Sequence, residues 1–476
     1  MRALEERAFA DGITAGSLME QAGAGIARAV RQFYSAPGRC VVAFGKGHNG
    51  GDALVAARHL AHAGWAIDLQ PAFPREQWAP LTLRQHERLE ASVAESSRPL
   101  VVLDGLLGIG AGGALREPIL GACREINRLR RDENAHVFAL DLPTGLDGDS
   151  GAFDPDAVIA DTTLTIGFAK KGLVADTATN HVGRLAVIPL DELTARATGS
   201  GDTVATALAP LLPPRAFDTH KGQCGRVGIV AGSRGYLGAA VLCAEAAVRG
   251  GAGLVALYVP SDLYDPCASR CAPEVMVRPI DSPAEVLAEN HDVLAIGPGL
   301  GDANRAAVLD LIARAPQPAV LDADALNHLA TDLTVLDRCA GPRVLTPHPG
   351  EMARLDPRKR TRRETVGAFI ERWPHVLLLK GSRTLVGQRD HPLSYNTTGH
   401  PGLATGGVGD VQTGLIAALA AQGLTLYAAA RLASWLIGRA AECAIFSGRE
   451  SAETLRPTAL LDSLGAAFRD LRAGAF

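Results

Sequence analysis

The chain has 476 residues, 47% hydrophobic and 21% charged, with a formal net charge of −4. That is enough for two or three domains, each with its own core, and the apolar fraction excludes a disordered chain. No basic block or arginine stripe stands out, so nucleic acid is not expected as a partner.

The 52 glycines against 5% aromatic residues suit tight turns and close backbone approach to ligands. Eight cysteines, Cys40, Cys123, Cys224, Cys243, Cys267, Cys271, Cys339 and Cys443, are scattered along the chain and read as reduced thiols of a cytoplasmic protein. Cys267 and Cys271 are the only close pair, and no histidine near them completes a zinc site. The opening MRALEERAFADGI carries charges where a signal peptide needs an apolar core. The most hydrophobic stretch, Gly414 to Phe446, is interrupted by Gln422, Arg431, Arg439 and Glu442. It predicts buried helices and no membrane partner.

In chain order, Arg39 to Phe44 reads as a strand. The loop GKGHNGGDA follows at Gly45 to Ala53, and then a helix that stops near Gly64. WAIDL is a further candidate strand. The apolar runs ending at Asp104, at Asp141 and near Phe168 predict strands buried on both faces. Strand–helix alternation implies a parallel sheet with right-handed crossovers. From Ala195 to Lys221 the periodicity fades into LLPPRAFDTHKG, which predicts a domain boundary near residue 205. Beyond it RVGIVAGS, GLVALYVP, DVLAIGPG, AVLDAD, RVLTPHPG and HVLLLKG repeat the rhythm, each ending in a loop of the kind that gathers ligands at strand carboxyl ends.

The four glycines of GKGHNGGDA, between a strand and a helix, suit an anion held by backbone N–H groups. The alternative is a plain glycine-rich turn. Asp104 and Asp141, if on neighbouring strands, aim two carboxylates into one crevice; the alternative is that each caps the next helix. Carboxylate, amide, hydroxyl and carbonyl oxygens around them suit a hard cation.

GKGHNGGDA, DGLLGIG and DLPTGLD, with SLMEQAGAGIA before them, resemble the hallmark segments of the NAD(P)H-hydrate epimerase family. The resemblance covers about the first 190 residues. It implies a Rossmann-like three-layer α/β domain, a potassium ion, and epimerisation at the hydrated nicotinamide carbon. By position, Asn49, Asp104 and Thr144 would hold potassium. His48, Asn49, Gly50, Gly51 and Asp52, then Gly108, Ile109, Gly110, Ala111, Gly112, Gly113 and Ala114, and then Asp141 would line the substrate. His48 stands where the family usually has Asn, as a tolerated loop residue or a new base. Thr144 replaces a common Ser and keeps the hydroxyl. Asp141 is the candidate for moving the proton.

In the second half, TGGVGD opens a helix whose apolar face carries Val411, Leu415, Ala418 and Leu419. Its first-turn N–H groups would form an anion hole for a phosphoryl group. Asp410 is placed either to take a hydroxyl proton or merely to cap the helix. This segment resembles the GxGD motif of ribokinase-like kinases. HKGQCGRVGIVAGS, IGPGLG, LDADALN, LTPHPGEMARL and LLKGSRTLV resemble NAD(P)H-hydrate dehydratase within that superfamily. That resemblance implies a C-terminal ribokinase-like α/β domain over 206–476, following an epimerase domain over 1–205. Asp410 would be the base. Ala239, Gly299 and His348 would contact the hydrate, and Lys380, Gly381, Ser382, Arg383, Thr384 and Gly409 the nucleotide.

The implied whole is a bifunctional isomerase and lyase acting on NADHX and NADPHX. ADP, rather than ATP, is the expected phosphoryl donor, and Mg²⁺ accompanies the phosphates. A homo-oligomer is expected, although no residue pattern in the sequence reveals the oligomeric state. The competing readings are a sugar or vitamin kinase fused to a nucleotide-binding regulatory module, and a binding protein in which one site has decayed.

Overall fold

The computed structural model describes residues 2–89, 98–110, 113–196, 201–206 and 212–476. The chain forms two compact units, Met1–Gly199 with Phe476 and Ser200–Ala475.

The first unit is built on β1 (Arg39–Phe44), β2 (Ala66–Pro71), β3 (Leu100–Gly105), β4 (His136–Leu140), β5 (Thr162–Ile166) and β6 (Arg184–Ile188), in the order β2-β1-β3-β4-β5-β6. All neighbours pair in parallel. Such a sheet must be covered on both sides, and side chains alternate between them. Val41, Ala43, Val102, Val137 and Ala139 form one apolar cluster with Ile119, Cys123 and Ile126 of the helix Ile119–Asp132. The alternate residue Phe138 faces the other way and meets Phe33 of the helix Ala15–Phe33, ring centroids 5.9 Å apart. Helices therefore flank the sheet on both faces. Each fully buried Val, Leu, Ile or Phe here contributes about 1.5–3 kcal/mol.

The sheet order reverses at β1, between β2 and β3. That crevice is where open α/β sheets bind ligands. The helix after β1 starts earlier than its sequence predicts: it spans His48–His62, so Asn49 to Asp52 form its first turn. The glycines that suggest a longer loop are packing glycines. A Cβ on Gly50 would lie 2.1 Å from the Gly45 carbonyl oxygen, and one on Gly51 2.4 Å from Met19 Cε.

In the second unit β7 (Thr203–Val204), β8 (Arg226–Val230), β9 (Leu254–Pro260), β10 (Val275–Ile280), β11 (Val293–Ile296), β12 (Ala319–Leu321), β13 (Arg343–Leu345), β14 (Val376–Leu379), β15 (Leu385–Gly387) and β16 (Ser394–Tyr395) form one sheet, ordered β10-β9-β8-β11-β12-β13-β14-β15-β16-β7. The six predicted runs are all strands of its parallel part. The sheet is mixed rather than uniformly parallel: β14–β15 and β15–β16 pair antiparallel. Only five residues separate β14 from β15, too few for the crossover that parallel strands need.

The helices Val408–Ala421 and Leu426–Phe446 are buried along most of their length. The charges that interrupt the second have partners: Arg439 meets Glu442 at 2.9 Å and Asp470 at 2.7 Å, and Arg431 donates to Ser394 Oγ at 3.0 Å. Among the described residues no helix is long and apolar enough to cross a membrane.

Candidate active sites

In the first unit a cavity of about 580 Å³ opens over the carboxyl ends of β1, β3, β4 and β5. Its polar lining comes from Lys46, His48, Asn49, Asp52 and Asp141, and its apolar lining includes Leu18, Met19, Phe73, Ile109 and Ile166. Its size suits a small-molecule ring with a polar tail. His48 is exposed at the cavity edge, and Gly108, Ile109 and Gly110 line it. Gly50 and Gly51 lie behind the wall. Gly113 and Ala114 are exposed and away from it, while Ala111 and Gly112 lie outside the described residues.

Asp141 follows β4 with φ +68°, a left-handed conformation that Asp and Asn tolerate better than other non-glycine residues. The Ile166 N–H donates to its Oδ1 at 3.1 Å. Lys170 forms an ion pair with the same oxygen and also donates to Thr165 Oγ1 and the Ile166 carbonyl, each at 3.0 Å. Burial pulls the Lys170 ammonium below the usual lysine range, and Asp141 opposes that pull. Sequence reasoning passes over Lys170, because 29 residues separate it from Asp141 and only the β4–β5 pairing brings them together. Asp52 lines the same cavity, and among the described residues none donates to its carboxylate. Burial, with Asp141 nearby, holds its carboxyl well above the usual range. One cavity therefore holds a carboxylate tied to an ammonium beside a carboxyl group biased toward its acid form.

Asp104 does not reach this cavity. It is fully buried, and its oxygens accept from Thr144 N at 2.8 Å, Thr144 Oγ1 at 2.7 Å and Leu106 N at 3.3 Å. Burial pushes its carboxyl up to about 6, against those hydrogen bonds. Neither Asp104 nor Asp141 caps a helix. Asn49 joins the same turn: its Nδ2 donates to the carbonyls of Leu107 at 2.9 Å and Leu140 at 3.2 Å. The amide is thereby fixed with Oδ1 buried and without a partner. An unpaired buried acceptor beside a buried carboxylate is costly unless something positive meets it. These oxygens fit a weakly hydrated monovalent cation, whose shell amide and carbonyl oxygens replace.

In the second unit the sheet order reverses at β8, between β9 and β11, and the loops after β8 and β11 meet there, Gly232 N donating to the Pro298 carbonyl at 2.9 Å. Gly299 has φ +63°, and a Cβ on it would lie 3.2 Å from that of Ala239 and 2.9 Å from that of Tyr236. The structure thus brings Ala239 and Gly299 together and adds Tyr236, whose ring is 64% exposed beside them. His348 is occupied otherwise. Its Nδ1 accepts from Gly350 N at 2.9 Å and Glu351 N at 3.3 Å, capping the helix Pro349–Leu355. Only Nε2 is left to face a ligand, with Glu351 Oε1 3.5 Å away.

Gly407, at φ +95°, starts the helix Val408–Ala421 without a side-chain cap, so the first-turn N–H groups stay open. Asp410 accepts no hydrogen bond from any described residue, which leaves its capping role without support. Burial and then Asp322 push its carboxyl up to about 7, while Lys380 opposes. Lys380 follows β14 and donates to Asp322 Oδ1 at 2.6 Å. A Cβ on Gly409 would lie 3.1 Å from its Nζ, so the ammonium rests against the open helix start. Gly381 and Ser382 are exposed in the β14–β15 loop, whereas Arg383 and Thr384 are buried beneath it.

Contrary to the expectation of no basic block, the run RKRTRR from Arg358 to Arg363 is one. Its charges are largely spent internally. Arg358 and Arg360 meet Asp356 at 2.6 and 3.0 Å, Arg363 meets Asp202 at 2.8 Å, and Arg362 Nη2 donates to the Arg383 carbonyl at 2.9 Å.

Comparison with known proteins agrees on both halves. The family profile described as NAD(P)H-hydrate dehydratase matches residues 227–464, and that described as YjeF-related protein N-terminus matches 15–172. The bifunctional NAD(P)H-hydrate repair enzyme Nnr of Moorella thermoacetica is 37% identical over 469 residues, covering 89% of this chain and 87% of the relative. That of Coxiella burnetii is 34% identical, with 94% of each chain covered. A crystal structure of ADP/ATP-dependent NAD(P)H-hydrate dehydratase from Bacillus subtilis, co-crystallised with ATP/Mg2+, is 29% identical. It covers 55% of this chain and 94% of that one, with a TM-score of 0.48.

Proposed function

The chain belongs to the family of bifunctional NAD(P)H-hydrate repair enzymes, and on that premise we propose that its first unit epimerises hydrated NADH and NADPH while its second dehydrates the S form at the expense of ADP. The observation that carries the second activity is the uncapped, open helix start, which bears an unpartnered Asp410 and against which the Lys380 ammonium rests at Gly409. A plain sugar or vitamin kinase would need the same site, but it does not account for the acid–base cavity of the first unit.

The hydrated carbon bears a hydroxyl and the ring nitrogen. Inverting it requires one of those two bonds to break and re-form, with one group taking a proton and another giving one. Asp141, ionised against Lys170, is the acceptor. Asp52, biased toward its acid form by burial, is the donor. Asn49, Asp104 and Thr144 would hold potassium, which supplies a fixed positive charge beside the site. Its presence has a readout apart from activity. Potassium in place of tetramethylammonium is expected to raise the melting temperature of the wild-type protein, by about 2.7 kcal/mol of stability at a hundred times the dissociation constant. It should leave Asn49→Ala unmoved. Equal melting temperatures of the wild type in both salts would remove the cation from this site.

In the second unit Asp410 takes the proton of the hydrate's hydroxyl as its oxygen attacks the terminal phosphorus of ADP, and AMP leaves. The carbon–oxygen bond then breaks with inorganic phosphate as leaving group, and loss of the neighbouring carbon's proton re-forms the double bond. Lys380 and the open N–H groups hold the phosphates, and magnesium, when bound, neutralises part of their charge.

The test uses the full chain and separated epimers of hydrated NADH. Without nucleotide the two epimers should interconvert with no recovery of absorbance at the reduced-nicotinamide band. Adding ADP and Mg²⁺ should restore that absorbance and release AMP and phosphate in equal amounts. Recovery without nucleotide, or no recovery with either ADP or ATP, would overturn the assignment.

A further inference from the structure

Asp322 closes β12 inside the segment LDADALN. Its side chain is 2% exposed, and it joins two separate elements. Oδ1 accepts from Lys380 Nζ at 2.6 Å, and Oδ2 accepts from Thr413 Oγ1 at 2.7 Å. Lys380 follows β14, while Thr413 stands three residues after Asp410 in the helix Val408–Ala421. The backbone here is held in an unusual shape. Ala323 has φ 48° and ψ −116°, which side-chain-bearing residues rarely adopt. A Cβ on Gly297 would lie 1.8 Å from the Asp322 carbonyl oxygen. Such outliers persist where the surroundings over-determine a position, and they cluster at functional sites.

We infer that Asp322 is a positioning residue of the dehydration site, clamping the Lys380 ammonium to the helix that presents Asp410 so that nucleotide phosphate and hydrate hydroxyl meet in one geometry. The inference rests on the roles proposed above for Lys380 and Asp410.

Lysine has a long, flexible stem and loses much rotamer freedom when it grips a phosphate. A carboxylate that holds it beforehand removes that cost from the binding step. Gly409 is part of the same device. Its missing side chain admits Lys380 Nζ to 3.1 Å and Asp322 Oδ2 to 3.6 Å of where a Cβ would be. Asp322 also acts on Asp410 through charge. The charged groups facing Asp410 are Asp322 and Asp324 from one segment, Lys380 and Glu351 from two others, and the Cys243 thiol of the helix Leu237–Arg249 also feels its charge. Removing the Asp322 charge leaves Lys380 uncompensated, which favours the ionised form of Asp410.

The experiment compares Asp322→Asn, Asp322→Glu and Thr413→Val in the full chain, with ADP affinity by calorimetry and kcat/KM for the S hydrate against pH. Asp322→Asn is expected to weaken ADP binding, lower kcat by about 10²-fold as for a misplaced catalytic group, and move the acid limb of the pH profile to lower pH. Asp322→Glu keeps the charge but displaces the ammonium, so ADP affinity should fall while the acid limb stays. Thr413→Val should lower kcat and leave the limb in place. Wild-type ADP affinity together with an unmoved acid limb in Asp322→Asn would overturn the inference. If that variant does not fold, wild-type kinetics in both of the others would do so. Absence of any nucleotide-dependent recovery in the wild type would instead strike the dehydratase reading itself.

Discussion

Replacing Asp410 by asparagine is expected to lower nucleotide-dependent recovery of NADH by about 10²–10⁴ while leaving epimer interconversion unchanged. Asparagine keeps the shape of the side chain and cannot accept the hydroxyl proton. The wild-type pH dependence follows from the same group. Its carboxyl is pushed up to about 7, mainly by burial, and a base works only when deprotonated. The kcat/KM of dehydration should therefore fall as pH drops through 7 and level off above it. Asp410→Asn should lose that limb along with the rate. Stability should move the other way. The folded-state pKa lies above the unfolded value of about 3.9, so the folded protein binds this proton more tightly. The resulting stability is complete below the unfolded value and is lost as pH rises through 7. At pH 8 the buried charge is a burden that asparagine removes, so the variant should melt higher than the wild type. Dehydration at close to the wild-type rate would withdraw the mechanism.

What the sequence made legible and what it hid have separate physical causes. The strands were readable because parallel strands buried on both faces are continuous apolar runs. That is why Arg39 to Phe44 and the runs ending at Asp104 and Asp141 appear where expected. The glycines of GKGHNGGDA misled about the helix start, because the reason for Gly50 and Gly51 is the atoms they touch once the chain is folded, Gly45 O in the turn and Met19 of a separate helix. Lys170 and Asp322 were hidden for a related reason. Each matters through a partner 29 or 58 residues away in sequence, brought near by the order of the strands in the sheet. His348 was legible as a residue but not as a helix cap, since its acceptor role depends on the turn it makes with Glu351. The basic run 358–363 looks like a surface signal in the sequence. Only the placement of Asp356 and Asp202 shows most of its charge to be paired, while Arg362 reaches the Arg383 carbonyl in the β14–β15 loop.

Asp141→Asn should abolish epimerisation to a similar degree, about 10²–10⁴, while ADP-dependent dehydration of purified S hydrate continues. Asparagine is the informative substitution because the position has φ +68°. Asn tolerates that conformation, whereas most other residues pay roughly 1–2 kcal/mol for it. A loss of activity in Asp141→Asn is therefore a loss of chemistry rather than of backbone shape. The variant also leaves Lys170 buried without its counter-charge. Burial already pulls its pKa down, so in the variant it is expected to shed its proton rather than stay charged. That outcome separates two roles. If Asp141 is the proton acceptor, Lys170→Met keeps a measurable epimerase rate, altered chiefly in its pH profile, because the carboxylate remains. If Asp141 serves only to hold Lys170, then Lys170→Met is as inactive as Asp141→Asn, and the double variant is no worse than either alone. Epimer interconversion by Asp141→Asn at close to the wild-type rate, followed by chromatography of the two hydrates, would rule out Asp141 in both roles.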